Sequence, residues 1–384
     1  MRVALVSHNS EAGGAGRAML ELIDGLRERG VVCSVLLRER GWLVEELNRR
    51  TVPFAIIPYR WWCSPPSYWR ARLLNFLALV MVFPILGQMK RWEVDVVLTN
   101  TSVIGVGALA AFLLRKPHVW HIHEFGKEDH DLCYNLGTWL STQVMARLSA
   151  VVIVTSKAVE AYYARYIPQR QIRVVCSGVE VPGQPQTEPI LEAKSVRASR
   201  AVKLVLVATI QEGKGQTDAV RALAWLISQG VQVELTLVGP GARGGLERVQ
   251  RLVSSCGLEE LVKLTGQVPN SAPILLGADI ALMCSRSEAF GRVTVEAMKL
   301  GKPVVGARGG ATPELIQENF NGLLYTPGDY LDLAQKIKFL IDNPEVARQM
   351  GENGRRWAEQ EFTQEKYAGK VLQALEEVLR QRAV

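Results

Sequence analysis

Residues 279–307 read DIALMCSRSEAFGRVTVEAMKLGKPVVGA and predict a strand, a loop, a helix and a second strand. The two strands, 279–283 and 303–307, are short and almost continuously apolar, as strands of a parallel sheet are when helices cover both faces. The helix is predicted to begin near Val293, which leaves Glu288 in the loop. The stretch therefore predicts a βαβ unit.

The same alternation of strands and helices extends through most of the chain, on both sides of one break. Residues 178–200 interrupt it with Pro182, Pro185 and Pro189, a composition typical of an exposed connection. We therefore predict an α/β protein with two Rossmann-like, doubly wound parallel-sheet domains facing an interdomain cleft. The predicted parts are an N-terminal domain (1–182), a linker (183–200), a C-terminal domain (201–363) and a last helix (364–384) that packs back on the first domain.

The predicted strands are 3–7, 31–37, 94–99, 118–123, 151–155 and 173–176 before the break, and 203–208, 233–239, 262–265, 279–283, 303–307 and 322–325 after it. Ligands of such folds bind beyond the carboxyl ends of the strands. Dehydrogenases, kinases, binding proteins and transferases share this architecture, so it does not decide the chemistry.

The composition of the 384 residues, 48% hydrophobic and 22% charged, is that of a globular protein. Six cysteines without a C-x-x-C pair favour neither a disulfide framework nor a zinc ribbon, and we predict no signal peptide, so a cytoplasmic location fits best. The net charge of +7 arises within residues 47–92, which hold seven basic residues and no acidic one. One basic segment does not indicate nucleic-acid binding, which needs a basic stripe or a known module.

That basic segment is also aromatic and apolar. Trp61 and Trp62 precede Arg70 and Arg72, and residues 73–89 carry no charge. These seventeen residues are too short for a membrane span, which needs roughly 20 apolar residues. Two interpretations remain open: a core helix with a solvated basic end, or a segment lying in the lipid interface.

Two glutamates, Glu288 and Glu296, stand eight positions apart around Gly291. On one unbroken helix their side chains would diverge by about 80°. With Glu288 in a loop and Glu296 on a helix, both carboxylates can reach the cleft. The backbone amides of residues 292–294 would then form a phosphate-binding site at the start of the helix. Each carboxylate then accepts hydrogen bonds from sugar hydroxyls. The alternative is structural: Glu296 complements the helix dipole and Glu288 is solvated.

The run from Glu288 to Gly301, followed by Gly309-Gly310 and preceded by residues 238–241 (VGPG), resembles the signature of family 4 of the retaining glycosyltransferases, which have the GT-B fold. The resemblance implies an enzyme that moves a hexose from a nucleotide-diphosphate sugar to an acceptor, with retention at the anomeric carbon. It implies neither a metal nor a cofactor, and no enzymic nucleophile. The first domain would bind the acceptor and the second the nucleotide sugar.

The resemblance also assigns residues in the second domain. It places Glu288 on the donor sugar, Glu296 on the ribose and Val268 near the base. Lys214 occupies the position of the lysine that clamps the diphosphate, but Thr209 replaces the arginine usual in that loop. Two alternatives follow: this charge is missing, or another residue such as Arg292 supplies it. The remaining donor contacts are expected from Phe290, Gly291 and Val293.

In the first domain, Gly13 and Gly14 follow the first strand. They lack the G-x-G-x-x-G spacing of a dinucleotide site, and by resemblance they face the donor phosphates and the acceptor. His123 matches the family histidine that reaches the sugar, although core packing is the alternative. A metal site at residues 118–133 is disfavoured because H-x-H-E lacks helical i, i+4 pairing. The catalytic residues are thus expected to be His123, Lys214 and Glu288.

The acceptor is expected near Asn100, Gly13 and Gly14. The basic, tryptophan-rich segment favours an anionic or lipid-linked acceptor on the inner face of the cytoplasmic membrane, as in assembly of a surface glycan. Two alternatives stay open. One is a nucleotide-sugar epimerase or hydrolase on the same fold, and the other is a nonenzymatic nucleotide-sugar-binding protein, which the Thr209 substitution favours.

Overall fold

The structure, a computed structural model, describes residues 1–64, 78–126, 133–181, 200–242 and 244–383. The chain divides into two compact units. Unit 1 comprises Met1–Val179 and Phe362–Val384, and unit 2 comprises Glu180–Glu361. The last helix therefore belongs to unit 1, although unit 2 precedes it in the sequence.

Unit 1 is built on a parallel sheet of seven strands in the order β3-β2-β1-β5-β6-β8-β9. A separate antiparallel ribbon pairs β4 with β7. The strands are β1 (Arg2–Val6), β2 (Val32–Leu37), β3 (Phe54–Ile56), β4 (Cys63–Ser64), β5 (Val96–Thr99), β6 (His118–Ile122), β7 (Cys133–Tyr134), β8 (Val151–Val154) and β9 (Ile172–Val174).

The helices of unit 1 cover this sheet. They are α1 (Gly14–Arg27), α2 (Trp42–Arg49), α3 (Val82–Arg91), α4 (Val106–Leu113), α5 (Thr138–Leu148), α6 (Lys157–Tyr163) and the C-terminal helix (Gln364–Ala383). Single 3-10 turns occur at Ala78–Met81 and Gln169–Gln171.

The C-terminal helix is part of the core of unit 1. Tyr367, Val371 and Leu375 are fully buried in one cluster with Leu22 and Ile23 of α1. The two helices approach so closely that a Cβ on Gly25 would lie 2.5 Å from the Cβ of Ala368. A side chain at position 25 would push the helices apart, which explains a glycine in the middle of α1 despite its low helix propensity.

Unit 2 contains a parallel sheet of six strands in the order β12-β11-β10-β13-β14-β15. The strands are β10 (Val202–Val207), β11 (Val233–Val238), β12 (Val262–Leu264), β13 (Ile280–Met283), β14 (Val304–Ala307) and β15 (Gly322–Tyr325). The helices are α7 (Gln216–Ser228), α8 (Gly245–Ser255), α9 (Ala272–Gly277), α10 (Arg292–Lys299), α11 (Thr312–Leu315), α12 (Tyr330–Asp342) and α13 (Pro344–Glu361).

Both sheets reverse their strand order once. In unit 1 the first strand, β1, pairs with β2 on one side and β5 on the other. In unit 2, β10 likewise lies between β11 and β13. At such a switch point the two connecting helices leave in opposite directions and open a crevice at the carboxyl ends of the strands. The predicted fold class, two doubly wound Rossmann-like domains, is confirmed.

Candidate active site

The loop after β1 leads into α1 through two glycines. Gly13 is the N-cap residue of α1 and Gly14 its first residue, and both are exposed. A Cβ built on either residue meets no atom within 4 Å. Packing within the described part of unit 1 therefore does not require glycine at these positions, and the loop backbone presents an open face at the switch point.

Asn100 lies on the other side of the same switch point, directly after β5, and is fully buried. Its backbone N–H donates to the carbonyl of Val6 at 3.0 Å, and its side-chain Nδ2 donates to the carbonyl of Ala15 in α1 at 3.0 Å. Its Oδ1 lies 2.9 Å from Nε2 of His123, the residue after β6. Asn100 thus joins the start of α1 to His123.

Glu124 anchors the loop that follows β6 and is 6% exposed. The Thr101 hydroxyl donates to its Oε1 at 2.6 Å, the Ser102 N–H donates to the same oxygen, and the His123 N–H donates to Oε2 at 3.1 Å. Burial raises the pKa of Glu124, but the Thr101 hydrogen bond, the charges of His8 and His123 and the Ser102 N–H outweigh it, so the pKa lies below its usual value. An ionised Glu124 fixes the loops after β5 and β6 to each other.

Two neighbouring histidines are structural. His121 packs against His123, with ring centroids 4.1 Å apart, and the hydroxyl of Tyr367 in the C-terminal helix lies 3.4 Å from its Nδ1. His118 lies between the hydroxyls of Thr99 and Ser149, at 2.8 and 2.9 Å. Burial lowers the pKa of both imidazoles to about 3, so both are neutral at physiological pH.

Trp61 and Trp62 are partly buried against the loops of unit 1. The indole N–H of Trp61 donates to the carbonyl of His8 at 2.9 Å, and that of Trp62 donates to the carbonyl of Ser102 at 2.6 Å. The Trp62 ring stacks on Trp120, which is fully buried, with centroids 5.6 Å apart. Internal packing thus accounts for this pair. Arg70 and Arg72 lie outside the described residues, as does the start of the uncharged run 73–89.

No helix among residues 1–64, 78–126, 133–181, 200–242 and 244–383 is both long and apolar enough to cross a membrane.

In unit 2 the loops after β10 and β13 meet at the switch point. Nζ of Lys214, in the first loop, donates to Oε2 of Glu288, in the second, at 3.0 Å. The two side chains are 15% and 21% exposed, so water screens this ion pair less than it would on an open surface. The Arg286 N–H also donates to the Gly213 carbonyl at 2.8 Å. A cation and a carboxylate are therefore held together where a ligand is expected.

Two glycines allow these loops to approach each other. Gly215 has a φ of +72°, and a Cβ there would lie 2.2 Å from the carbonyl oxygen of Cys284. Gly310 has a φ of +54°, and its Cβ would lie 2.4 Å from the backbone N and O of Glu288. The Ala311 N–H donates to the Glu288 carbonyl at 2.7 Å. Backbone from three loops thus fixes the position of Glu288.

Helix α10 begins one residue earlier than predicted. Gly291, with a φ of +88°, is its N-cap residue, and the buried Phe290 precedes it. Nε of Arg292 donates to Oε1 of Glu296 at 3.2 Å along the helix. The N-terminal end of α10 carries the positive end of the helix dipole and attracts an anion, although the Thr294 N–H already donates to the Gly291 carbonyl at 2.9 Å. Glu296 is 6% exposed and its carboxylate is oriented by Arg292, whereas Glu288 is paired with Lys214 and is not simply solvated.

The other predicted donor residues lie in neighbouring loops. The carbonyl of Thr209, after β10, accepts a hydrogen bond from the buried side chain of Gln216 at 3.0 Å. Val268 is partly buried in the loop after β12, and Val293 is partly buried in the first turn of α10. The structure thus joins Lys214 to Glu288 and Arg292 to Glu296. Thr209 and Val268 lie in the strand-end loops and Val293 lies in the first turn of α10, and among the described residues no side-chain hydrogen bond links them to those pairs.

Sequence reasoning missed supporting residues beneath these loops. Asp218 of α7 is 3% exposed, and burial raises the pKa of its carboxyl, with Arg286 and Arg221 acting in the opposite direction. Burial also raises the pKa of the neighbouring Cys284 thiol to about 12. The sequence pattern that could have indicated a buried carboxylate is a polar residue among the apolar positions of a helix, as Asp218 is. Glu124 was recognisable only as the neighbour of His123.

No cluster of three or more His, Cys, Asp or Glu side chains suited to a metal occurs among the residues that the structure describes. The predicted absence of a metal at residues 118–133 stays a prediction, because residues 127–132 are not described.

Two doubly wound units, each with a polar site at its switch point, fit the GT-B fold of glycosyltransferases. Sequence comparison agrees: the model of the glycosyl transferases group 1 matches residues 188–357, and that of Glycosyltransferase Family 4 matches residues 12–181. The two matches together take in nearly the whole chain, which therefore belongs to the group 1 GT-B glycosyltransferases.

Individual relatives align with between about half and nearly all of this chain. An N-acetyl-alpha-D-glucosaminyl L-malate synthase of Bacillus anthracis is 32% identical over 177 residues, 46% of this chain and 46% of that relative. The lipopolysaccharide core biosynthesis glycosyltransferase LpsD of Rhizobium meliloti is 24% identical over 352 residues, 90% of each chain. The crystal structure of Anabaena Alr3699/HepE in complex with UDP superposes with a TM-score of 0.80 at 23% identity, covering 98% of this chain and 100% of that one. This last likeness shows the fold.

Proposed function

We propose that this protein is a retaining, metal-independent glycosyltransferase that moves a hexose from a nucleotide-diphosphate sugar to an acceptor hydroxyl. The observation that carries the proposal is the ion pair of Lys214 and Glu288 at the switch point of unit 2, with 3.0 Å between Nζ and Oε2. It provides a cation for a departing diphosphate beside a carboxylate for sugar hydroxyls. Family membership supports the same reaction class.

In the proposed reaction the bond between the anomeric carbon and the diphosphate oxygen breaks, and its electron pair leaves with the diphosphate. Lys214 and the first-turn amides of α10 stabilise the charge that develops on that oxygen. The acceptor oxygen attacks the same face of the sugar, and its proton passes to the departing phosphate oxygen. No covalent enzyme intermediate is needed, and the configuration is retained.

Arg292 takes over the role of the arginine that Thr209 replaces. It is the first residue of α10, its side chain is 13% exposed, and its Nε donates to Oε1 of Glu296 at 3.2 Å. The same contact directs the Glu296 carboxylate, which we assign to the ribose hydroxyls. Glu288 then contacts the transferred hexose, and His123 of unit 1 orients a sugar hydroxyl.

We propose a UDP-hexose as the donor. Anabaena HepE has been crystallised with UDP and with UDP-glucose, and a 2-deoxystreptamine glucosyltransferase of Streptomyces kanamyceticus is 25% identical over 316 residues. Saturation-transfer NMR against UDP-, GDP- and ADP-sugars, with Glu296→Ala as the matched control, tests this. Binding of a UDP-sugar by the intact protein but not by Glu296→Ala supports the proposal, and binding of only a GDP- or ADP-sugar, or of no donor, contradicts it.

Two further measurements test the finer claims. Product NMR should show the anomeric configuration of the donor, and an inverted product would contradict the front-face route. Turnover should be unchanged after treatment with EDTA, and a loss that added Mg²⁺ or Mn²⁺ restores would contradict metal independence. Turnover without an acceptor would instead identify a hydrolase or an epimerase.

We propose a lipid-linked acceptor of a surface glycan, at the inner face of the cytoplasmic membrane. Phe83 near the start of α3 and Trp139 near the start of α5 are each 66% exposed. Both helices run antiparallel to the strands of a parallel sheet, so they begin near the carboxyl ends of those strands. Asn100 and His123 also follow the carboxyl ends of their strands. Large aromatic side chains at that end of the sheet suit the lipid interface. LpsD, named for lipopolysaccharide core biosynthesis, supports this acceptor class.

Cosedimentation with anionic liposomes tests the membrane contact. Phe83→Ser combined with Trp139→Ser should lower the bound fraction. Phe112→Ser is the matched control, because Phe112 is 61% exposed but lies in the last turn of α4, near the amino ends of the strands. Equal loss with the control, or no loss with the double variant, would contradict the proposed contact.

A further inference from the structure

Glu124 directly follows His123 at the carboxyl end of β6. A carboxylate beside a histidine in a glycosyl-transfer site is, by position alone, a candidate nucleophile or general base. The surroundings of Glu124 give it a different role. The residue is 6% exposed, and both of its side-chain oxygens accept hydrogen bonds from loop residues of unit 1. The carboxylate therefore faces the protein interior.

The carboxylate joins the loop after β5 to the loop after β6. Its Oε1 accepts from the Thr101 hydroxyl at 2.6 Å and from the Ser102 N–H, and its Oε2 accepts from the His123 N–H at 3.1 Å. A backbone N–H can only donate, so each oxygen faces a group that needs an acceptor. Glutamine at position 124 would place its NH2 group against one of the two N–H groups in either orientation. A carboxylate is therefore the group that satisfies both loops.

The loop after β5 is also held through its carbonyl groups. The Trp120 indole N–H donates to the Thr101 carbonyl, and the Trp62 indole N–H donates to the Ser102 carbonyl at 2.6 Å. The indoles thus bind the acceptors of these two residues, whereas the carboxylate binds their donors. Asn100 immediately precedes the pair, so its place at the switch point depends on the carboxylate.

The main chain of Glu124 is fixed as well. The Tyr163 hydroxyl, from α6, lies 3.4 Å from the Glu124 carbonyl oxygen and 3.0 Å from the Tyr134 hydroxyl of β7. Both tyrosines are buried. Helix α6 and the ribbon of β4 and β7 therefore support the backbone at the point from which the carboxylate reaches the loop after β5.

We infer that Glu124 is a positioning residue whose buried carboxylate holds Asn100 and His123 in place for glycosyl transfer, without contacting either substrate. The inference deepens the proposed function and rests on it for the reaction concerned. To act as a nucleophile or a base, the carboxylate would have to turn toward a sugar or an acceptor hydroxyl. That movement would leave the Ser102 N–H without an acceptor in a buried position, which is unfavourable. The role agrees with the proposed front-face route, which needs no enzymic carboxylate as nucleophile.

Amide hydrogen exchange tests the inference without any substrate. In Glu124→Ala the Ser102 N–H loses its acceptor and should exchange about tenfold faster than in the unmodified protein, the effect of one lost hydrogen bond. In Glu124→Gln the remaining amide oxygen serves the two donors of the loop after β5, so the His123 N–H should exchange faster and the Ser102 N–H should not. An unchanged Ser102 rate in Glu124→Ala would overturn the inference.

Two controls separate this effect from a general loss of structure. The Val97 N–H is hydrogen-bonded between β5 and the start of β6, and it should exchange at the same rate in every variant. Glu377→Gln removes the acidic partner of an ion pair on the C-terminal helix and should alter none of these rates. Equal acceleration at Val97 and Ser102 would show that Glu124 stabilises the whole unit, and would overturn a positioning role.

Turnover of a UDP-hexose provides the second readout. Glu124→Gln should lower kcat about tenfold and leave KM for the donor within about twofold, because the proposed donor contacts lie mainly in unit 2. Thr101→Val should also lower kcat, whereas Thr101→Ser keeps the hydroxyl and should not. Since Thr101 and Glu124 act through one hydrogen bond, the loss in the double variant should be smaller than the product of the single losses. Independent losses, a normal kcat in Glu124→Gln, or the loss of about 10⁴-fold or more that marks a catalytic group would each overturn the inference.

The two readouts can fail separately. If the unmodified protein turns over no nucleotide sugar, the proposed function fails, while hydrogen exchange still decides whether the carboxylate holds the loop after β5. If turnover is normal and the Ser102 rate is unchanged in Glu124→Ala, only the role assigned to Glu124 fails.

Discussion

The ion pair of Lys214 and Glu288 predicts that Glu288→Gln tightens the binding of a free nucleoside diphosphate. In the described structure the Lys214 ammonium is bound to Glu288 at 3.0 Å. A diphosphate that needs this ammonium must compete with the carboxylate. Glutamine keeps the shape and an acceptor oxygen but removes the charge, so the competition weakens while the loop is retained.

The magnitude follows from the geometry. Two unit charges 3.0 Å apart attract by about 5 kcal/mol at an effective dielectric constant of about 20. Most of this is offset by the desolvation of the two side chains, and a hydrogen bond between charged groups retains about 1.5–3 kcal/mol. If removal of the Glu288 charge makes the binding free energy of the diphosphate more favourable by about 1–2 kcal/mol, its Kd falls about 5- to 30-fold.

Isothermal titration calorimetry with UDP, GDP and ADP measures the effect. The gain should shrink at high salt, since the remaining attraction between Lys214 and the diphosphate is screened. Asp342→Asn is the charge-matched control, because Asp342 pairs with Lys338 on α12 and should leave Kd unchanged. Glu296→Gln should have the opposite effect, as it removes the proposed ribose contact. Equal or weaker binding by Glu288→Gln would refute the reasoning.

Three other outcomes are expected. Gly14→Ala should weaken donor binding yet change the free energy of unfolding by less than about 0.5 kcal/mol, since its Cβ meets no atom within 4 Å, and Gly87→Ala, equally open, should leave binding unaltered. His118 and His121, with pKa values of about 3, stay neutral in the folded state while the unfolded chain takes up protons below about pH 6.5, so stability should decrease by roughly 2 kcal/mol for each at pH 5. His118→Asn removes one of these two histidines, so urea unfolding at pH 7 and pH 5 should show a loss of about 2 kcal/mol in place of about 4 kcal/mol. A loss equal to that of the unmodified protein would contradict the assignment of a neutral, buried His118. Leu375→Ala, fully buried in the C-terminal helix, should lower unfolding free energy by about 2–5 kcal/mol, and a loss below 1 kcal/mol would argue against this helix as part of the core.

Most of the fold was predictable because its strands are local signals. Short segments of mostly apolar residues, such as β8 (VVIV) and β10 (VKLVLV), are recognisable without knowledge of their neighbours. The prediction missed β3, which has three partly buried residues at the edge of the sheet between Pro53 and Pro58. It also missed the ribbon of β4 and β7, whose two-residue strands exist only through their pairing.

The tryptophans of the basic segment show why amino-acid composition alone could not predict which aromatic side chains are exposed. Trp61 and Trp62 beside arginines favoured lipid contact as much as a core position, and the indole hydrogen bonds to His8 and Ser102 were not evident from the segment itself. Phe83 and Trp139, two of the exposed aromatic residues of unit 1, lie in separate segments of the sequence and do not form a cluster there. Exposure depends on what packs over a residue, and distant parts of the chain decide it.

The alternation of strands and helices, the break between the two halves and the spacing of Glu288 and Glu296 are local features, since each is encoded in consecutive residues. Which side chains meet depends on the three-dimensional arrangement of the strands. Lys214 and Glu288 are 74 positions apart and touch because β10 and β13 are neighbours in the sheet. Asn100 and His123 meet because β5 lies beside β6. Strand order is set by the packing of the whole sheet, so no local pattern specifies these partners.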